Sequence, residues 1–390
     1  MPSMASDEFV VFGQPDIRPE DIAGVVETLE SLWIGTGPRT HEFESRFARY
    51  VEATHAVGTS SCTAALHLAL IALGVGPGDE VVVPSMTFPS TANVVIHAGA
   101  TPVFVDVDRE SRTLTAELLA DALTDRARAV IPVPLAGYPV DMDPIRSLVE
   151  GRGVSVILDA AHAIETSYRG RRLGEAADVS AYSFYVTKNI TTAEGGMLTT
   201  AEESLAERVR VLSLHGLSAD AWSRYSGSNT KHYDTIEPGF KYNLTDLQSA
   251  LGLSQLSRID ASLKRRREIW ERYDEAFEGL PLERPPLPAA SVGESALHLY
   301  SPLLDTDRVP FDREELRERL WKEGVGTGIH FTAVHLHPYY RDTYGFRGGE
   351  LPVAERISSR TVSLPLSSGL RDDQVDHVID AVHRVLGEYR

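Results

Sequence analysis

The sequence predicts an α/β protein with a mostly parallel sheet in a large first unit and a smaller α+β unit after it. Three features predict this class. From about residue 54, short runs rich in Val and Ile alternate with stretches of helical periodicity. Those runs are almost wholly apolar, as strands covered on both faces require. Four prolines between Pro281 and Ala290 then mark a boundary in a chain of 390 residues, long enough for two packed units.

Before the alternation begins, residues 19–33 read as a helix opened by Pro19. Glu20 and Asp21 stand in its first turn, where negative charge meets the helix dipole. Residues 41–53 put Phe43, Phe47, Tyr50 and Val51 on one face and read as a second helix. Strands are expected at 55–57, 80–83, 102–105, 129–133, 154–158, 179–184 and 197–199. Helices are expected between them at 63–73, 89–98, 115–123 and 143–151. Residues 202–214 read as a helix, and the polar stretch to about 240 as a long loop of the functional kind. One long linking helix is expected over 246–280, between a large unit at 1–245 and a small unit at 281–390. The small unit reads as strand 297–304, helix 312–323, strands 325–331 and 361–366, and a final helix 372–387.

Apolar residues make up 42% and charged residues 24%, as in ordinary globular chains. Lys and Arg number 38 against 56 Asp and Glu, a net charge of −18. So acidic a surface repels phosphate backbones and argues against a nucleic-acid partner, while a locally positive site can still take a small anion. Cys62 is the only cysteine, which excludes an intrachain disulfide and Cys-rich zinc sites. The N-terminal residues carry no basic and apolar leader, and no apolar run reaches the length of about 18 residues needed to span a membrane. The expectation is a cytoplasmic protein without membrane association. His330, His335 and His337 lie close together, but no His-Glu-x-x-His pattern or spaced carboxylate joins them, so no metal is expected. The glycines at 74–78 lie between a helix and a strand. That reverses the order of a dinucleotide loop and counts against an NAD-dependent oxidoreductase.

Three segments fall where strands end. Gly58-Thr-Ser-Ser-Cys-Thr-Ala-Ala65 runs straight into a helix, whose free N–H groups make a phosphate cradle to which Thr63 adds a hydroxyl. Plain N-capping by Ser61 or Thr63 is the alternative. Asp159 directly follows the apolar strand at the sheet edge where ligands bind, and can pair with a cationic ring nitrogen; a helix cap is the alternative. Ser183 ends another strand, and Lys188 follows in a polar segment closing on Gly195-Gly196. A lysine desolvated in such a crevice is an amine nucleophile, whereas most lysines are only surface charge. Together the three match the needs of pyridoxal phosphate: a Schiff-base lysine, an acid at the pyridine nitrogen and a helix N-terminus for the phosphate.

Six stretches carry a family resemblance. They are Trp33-Ile-Gly-Thr-Gly-Pro38, Pro84-Ser-Met-Thr-Phe-Pro-Ser-Thr-Ala-Asn93, Asp159-Ala-Ala-His-Ala163, Lys188-Asn-Ile-Thr-Thr-Ala-Glu-Gly-Gly196, Gly239-Phe-Lys-Tyr-Asn-Leu-Thr-Asp246 and Gly326-Thr-Gly-Ile-His-Phe331. The chain resembles the DegT/DnrJ group of sugar-nucleotide aminotransferases over nearly its whole length, and most of all the UDP-4-amino-4-deoxy-L-arabinose aminotransferase branch. The resemblance implies a fold-type I, aspartate aminotransferase-like architecture and a homodimer with shared active sites. It implies that Lys188 joins the cofactor covalently and moves the proton, and that Asp159 pairs with the ring nitrogen. Phe88 would stack on the ring and His162 would lie near its phenolic oxygen. Thr63, Ala64 and Ser183 would hold the phosphate, which Asn243 would reach from the neighbouring subunit. Trp33, Lys241, His330 and Phe331 are expected around the substrate; the Lys264-Arg-Arg-Arg267 run is either a diphosphate partner or a solvated helix face.

Two positions depart from the group's commonest pattern. Cys62 stands where Gly or Ala is usual and reads as packing. Leu158 stands where an acidic residue often precedes the aspartate. A dehydratase branch has His in place of the lysine, so Lys188 favours transamination. The expected reaction takes nitrogen from L-glutamate, through the pyridoxamine phosphate form, to a nucleotide-linked 4-keto sugar (a 4-keto-6-deoxyhexose or 4-ketopentose), leaving 2-oxoglutarate. A 3-aminotransferase of the same group and a non-catalytic regulatory homologue are the alternatives.

Overall fold

The computed structural model describes residues 9–218 and 234–390. The N-terminal residues and most of the polar stretch expected as a functional loop lie outside them. The described chain opens with α1 (Pro19–Glu30) and α2 (Pro38–Val51). The alternating region follows as β1 (His55–Thr59), α3 (Cys62–Ala72), β2 (Glu80–Pro84), α4 (Ser90–His97), β3 (Thr101–Val105), α5 (Ala116–Ala122) and β4 (Ala127–Val130). It continues as α6 (Met142–Val149), β5 (Ser155–Asp159), β6 (Val179–Ser183), β7 (Gly196–Thr200) and α7 (Glu203–Ser213).

The seven strands form one sheet in the order β1-β7-β6-β5-β4-β2-β3. Neighbours from β6 through β3 are parallel, and β7 alone runs against both strands beside it. Both faces are covered, which is why the strands read as continuous apolar runs. Val82, Val156 and Leu158 face a core with Phe43 and Phe47 of α2 and Ile145 of α6. Val81, Val83 and Ile157 face the opposite one with Leu66 of α3, Val95 of α4 and Val209 of α7. Burying each such side chain stabilises the fold by about 1.5–3 kcal/mol.

The linking helix expected over 246–280 is two helices, α8 (Asp246–Leu256) and α9 (Ile259–Ala276). The break falls at Ser257 and Arg258. The Arg258 guanidinium donates to both carboxylate oxygens of fully buried Asp21 on α1, at 2.7 and 2.5 Å, and to the Asp16 carbonyl at 3.0 Å. Leaving that carboxylate unpaired would cost several kcal/mol, so the ion pair prevails over helix continuity. Periodicity within 246–280 carries no sign of a partner on α1.

In the C-terminal part, α10 (Arg313–Lys322) and α13 (Asp372–Leu386) form as expected, whereas α11 (Pro338–Tyr344) and α12 (Pro352–Arg360) were not anticipated. The strands expected at 297–304, 325–331 and 361–366 reduce to short pairings. Leu303–Leu304 pairs with Leu282–Glu283, and single bridges join Tyr300 to Leu364, Leu303 to Thr361 and Gly328 to Ser363. The apolar runs there record burial instead of strand formation. Tyr300, Leu304 and Leu364 share one core with Trp270 and Tyr273 of α9 and Val378 of α13. A short buried run looks alike in either state. Among the described residues, no helix is long and apolar enough to cross a membrane.

Candidate active site

A cavity of about 440 Å³ opens where the parallel strands end. Thr87 and Phe88 reach it from beyond β2, Asp159 from the end of β5 and Ser183 from the end of β6. Thr63 at the start of α3 lines it, as do His162, Lys188, His330 and Phe331. Residues up to 268 positions apart in sequence thus meet at one sheet edge, the place ligands take in open parallel sheets.

The other expected residues lie elsewhere in the chain. The Ala64 N–H is occupied by the Ser61 hydroxyl, which caps α3 at 3.0 Å. The Trp33 indole donates to the Thr36 carbonyl at 3.3 Å. Lys241 is exposed and bridges to Leu214, and Asn243 donates to the Thr36 hydroxyl at 2.7 Å. None of these four lines this cavity. Of the three clustered histidines, His335 is buried between Ser85, at 2.6 Å, and Glu355, at 3.2 Å, apart from the cavity that His330 enters.

Among the described residues, nothing hydrogen-bonds the Lys188 amine. Burial pushes its pKa down to about 8, against the opposing pull of Cys62 and Asp159. A lysine at that value is roughly 9% uncharged at pH 7, against roughly 0.04% for an ordinary one near 10.4. Folding therefore favours loss of the proton, and reactivity should rise with pH earlier than usual. Competitive acylation of the apoprotein, read by peptide mass spectrometry, should show Lys188 labelling level off just above pH 8. A rise continuing to about pH 10 would contradict the desolvated setting.

Asp159 is 4% exposed. The Thr91 hydroxyl donates to one carboxylate oxygen at 2.7 Å; the Ala161 N–H, at 3.3 Å, and the Cys62 thiol, at 3.7 Å, donate to the other. The Thr91 proton is committed to Asp159, so in the 2.7 Å contact between Thr87 and Thr91 it is Thr87 that donates. Burial raises the Asp159 carboxyl above its ordinary range in spite of these donors and Lys188. A cation placed against it would bring it down again. Burial also pushes the Cys62 thiol up, so Cys62 acts as packing and a weak donor.

His162 accepts the Ala136 N–H at Nδ1, at 3.2 Å, which leaves the proton of the neutral ring on Nε2. Burial, then Lys188 and the neighbouring histidines, hold this ring well below the usual imidazole range. His330 is pushed down to about 3 by burial and by Lys188, and its Nδ1 lies 2.8 Å from the Ser363 hydroxyl. Phe88 is 56% exposed and touches Phe331 edge-on at 5.7 Å, so one ring face stays open to the cavity. Gly196 lets β7 abut the start of α3, because a Cβ there would lie 2.5 Å from the Cys62 nitrogen.

An unpartnered, half-buried amine facing the cavity, a buried acid short of charge compensation, an open aromatic face and a helix N-terminus suit the aldehyde, ring nitrogen, ring and phosphate of pyridoxal phosphate. The fold and the site together define a pyridoxal phosphate-dependent enzyme of the aspartate aminotransferase type. The chain belongs to the DegT/DnrJ/EryC1/StrS aminotransferase family, whose model matches residues 15–383. It is 46% identical over 381 residues to the spore coat polysaccharide biosynthesis protein SpsC of Bacillus subtilis, covering 97% of this chain and 98% of that one. Among solved structures, a putative sugar aminotransferase, Spr1654 of Streptococcus pneumoniae, superposes with a TM-score of 0.89 and 34% identity, over 97% of this chain and 98% of the other. That protein is also known in forms holding PLP and PMP. PseC of Helicobacter pylori, an aminotransferase involved in pseudoaminic acid biosynthesis, matches with a TM-score of 0.88 and 26% identity, over 98% of this chain and 100% of that one.

Sequence reasoning missed the residues that hold the site in place. Thr91 lay within a quoted motif, yet its partner is 68 positions away. Asn189 likewise lay within a quoted motif, yet its partners Glu165 and His298 are 24 and 109 positions away, and His298 carried no signal beyond its polarity.

Proposed function

We propose that this protein transfers the amino group of L-glutamate to a nucleotide-linked 4-keto sugar, a 4-keto-6-deoxyhexose or a 4-ketopentose, in the manner of the UDP-4-amino-4-deoxy-L-arabinose branch its motifs resemble. The observation that carries this reading is the unpartnered Lys188 amine in one cavity with buried Asp159. Bound pyridoxal phosphate supplies an aldehyde for exchanging amino groups and an electron-poor ring that stabilises negative charge at the reacting carbon. Lys188 anchors the aldehyde and moves the proton at the reacting carbon through Nζ. Asp159 keeps a proton on the ring nitrogen, and Thr91 keeps Asp159 in place. His162 offers its Nε2–H to an oxygen in the cavity, and Phe88 covers one face of the ring. Thr63 and Ser183 bind at the phosphate end.

The sugar reading draws support from SpsC, named for polysaccharide biosynthesis, and from Spr1654, described as a sugar aminotransferase. The choice of the 4-position follows from the likeness of the Lys188–Gly196 stretch to enzymes acting there. In this reading His330 and Phe331, which line the cavity, border the sugar; Lys241, which does not line it, is assigned to the diphosphate, and Trp33 to the N-terminal side of the sugar pocket, as the family resemblance implies. The test is to convert the enzyme to its aminated form with glutamate and then add UDP-, dTDP- and GDP-linked sugars ketonic at C3 or C4. The cofactor's aldehyde-form absorbance should return with a 4-keto compound. Its return with 3-keto compounds alone would make the enzyme a 3-aminotransferase, and a purified protein that stays colourless would favour a regulatory homologue.

The active unit in this reading is a homodimer. Ile22, Val26 and Leu29 recur along α1 at helical spacing, each between 44% and 58% exposed, and Leu32 beyond them is 87% exposed. An apolar face of this kind calls for a covering surface, and a second copy supplies one. Asn243, which does not face the cavity of its own subunit, is then available to the partner's. Light scattering should give twice the monomer mass of 42.8 kDa; a monomer fully active at assay concentration would refute shared sites.

A further inference from the structure

A chain of hydrogen bonds runs behind the cavity wall, outside the residues assigned to the reaction. On α9, Arg266 is 2% exposed and pairs with Glu165, which is fully buried. The second Glu165 oxygen accepts an Asn189 amide N–H at 2.7 Å, and the same amide nitrogen lies 3.3 Å from the Ala296 carbonyl. With its N–H groups so directed, the Asn189 amide turns its oxygen to His298 and accepts the Nδ1–H of that ring at 2.7 Å. His298 Nε2 is then the bare nitrogen of a neutral ring. The His298 ring lies 4.5 Å from the His162 ring, tilted by 43°, and Phe331 packs at 5.7 Å from His162 as well. Asn189 directly follows Lys188 in the chain.

The charges along this relay have a definite pattern. Arg266 balances Glu165, and the link from Glu165 to His298 is an amide, which passes on orientation but no charge. A carboxylate in that place would draw a proton onto His298. The other groups facing His298 are Lys188, His330 and His162, with Arg266 behind; none of them favours a positive ring, and burial opposes one too.

We propose that Asn189 and His298, anchored by the Arg266–Glu165 pair, are positioning residues that orient the His162 ring and the Lys188 segment while keeping the imidazole at 298 neutral. The proposal rests on the active-site reading of Lys188 and His162 given above. A neutral ring at 298 leaves the Nε2–H of His162 free to serve the cavity and adds no positive charge beside the Lys188 amine. Exchange of the amide for a carboxylate is the change to which such a device is most sensitive.

Nitrogen NMR of the ¹⁵N-histidine-labelled apoprotein tests this without the cofactor, with the His298 signals identified by their loss in His298→Asn. The wild type should show His298 protonated at Nδ1, bare at Nε2 and unchanged between about pH 6 and 8. In Asn189→Asp, His298 should take up a proton within that range, and the pH profile of kcat should gain an ionisation absent from the wild type. A wild-type His298 that carries its proton on Nε2, or titrates in that range, would overturn the proposal. So would an Asn189→Asp variant in which His298 stays neutral. Borohydride fixation of the cofactor in the wild type, followed by peptide mass spectrometry, judges the active-site reading separately, since it asks only whether Lys188 takes the aldehyde.

Discussion

Lys188→Ala should lower turnover by roughly a thousandfold or more. Two roles end with one amine. In the proposed reaction, covalent anchoring of the aldehyde is lost, and so is the base that moves the proton at the reacting carbon, for which general catalysis alone contributes about 10²–10⁴. No other described amine can replace it, because Lys188 is the only lysine lining the cavity among the described residues. The substitution removes a desolvated, unpartnered group, so the fold itself should not suffer. Truncation relieves a burial cost, and the thermal midpoint of the apoprotein should hold or rise. The variant should still bind the cofactor in its aminated form, which needs no covalent link, but borohydride should fix nothing to the chain. Single-turnover rates and intact mass measure both. Turnover near the wild-type level would remove Lys188 from the chemistry.

Asp159→Asn should cost about a hundredfold or more in turnover, equivalent to roughly 3 kcal/mol of transition-state stabilisation. Asparagine has nearly the shape of the aspartate and can still accept the Thr91 hydroxyl. What it lacks is the charge proposed to hold a proton on the ring nitrogen, and without that proton the ring withdraws electrons poorly. The apoprotein should again be no less stable, because burial already disfavours the charged carboxylate. A large kinetic loss with an unchanged thermal midpoint therefore separates a chemical role from a structural one. A merely twofold loss in single-turnover rate would take Asp159 out of the mechanism.

The large α/β unit was legible almost residue by residue. Its strands are covered on both faces by helices close in sequence, so their apolar runs and the Gly/Pro punctuation between them carry the topology. The placement of Asp159 and Lys188 in one cavity was legible for a related reason. A strand-end aspartate and a lysine after the next strand are placed by the sheet, whose register is local knowledge. The C-terminal part was read less well. Around Tyr300 and Leu364, apolar residues serve a core shared with α9 and α13, and burial in such a core imposes no period of two.

By itself, then, the chain's order of residues determined the parallel sheet, the cofactor class, and the identity of the amine and acid that meet at its edge. Tertiary structure alone decided where α8 gives way to α9, that Thr91 and Cys62 attend Asp159, and that Asn189 joins Glu165 to His298 behind the cavity. The physical reason is the range of the forces involved. Backbone preference and apolar periodicity act between near neighbours in sequence. A buried hydrogen bond or ion pair selects its partner from whatever the finished fold brings within about 3 Å.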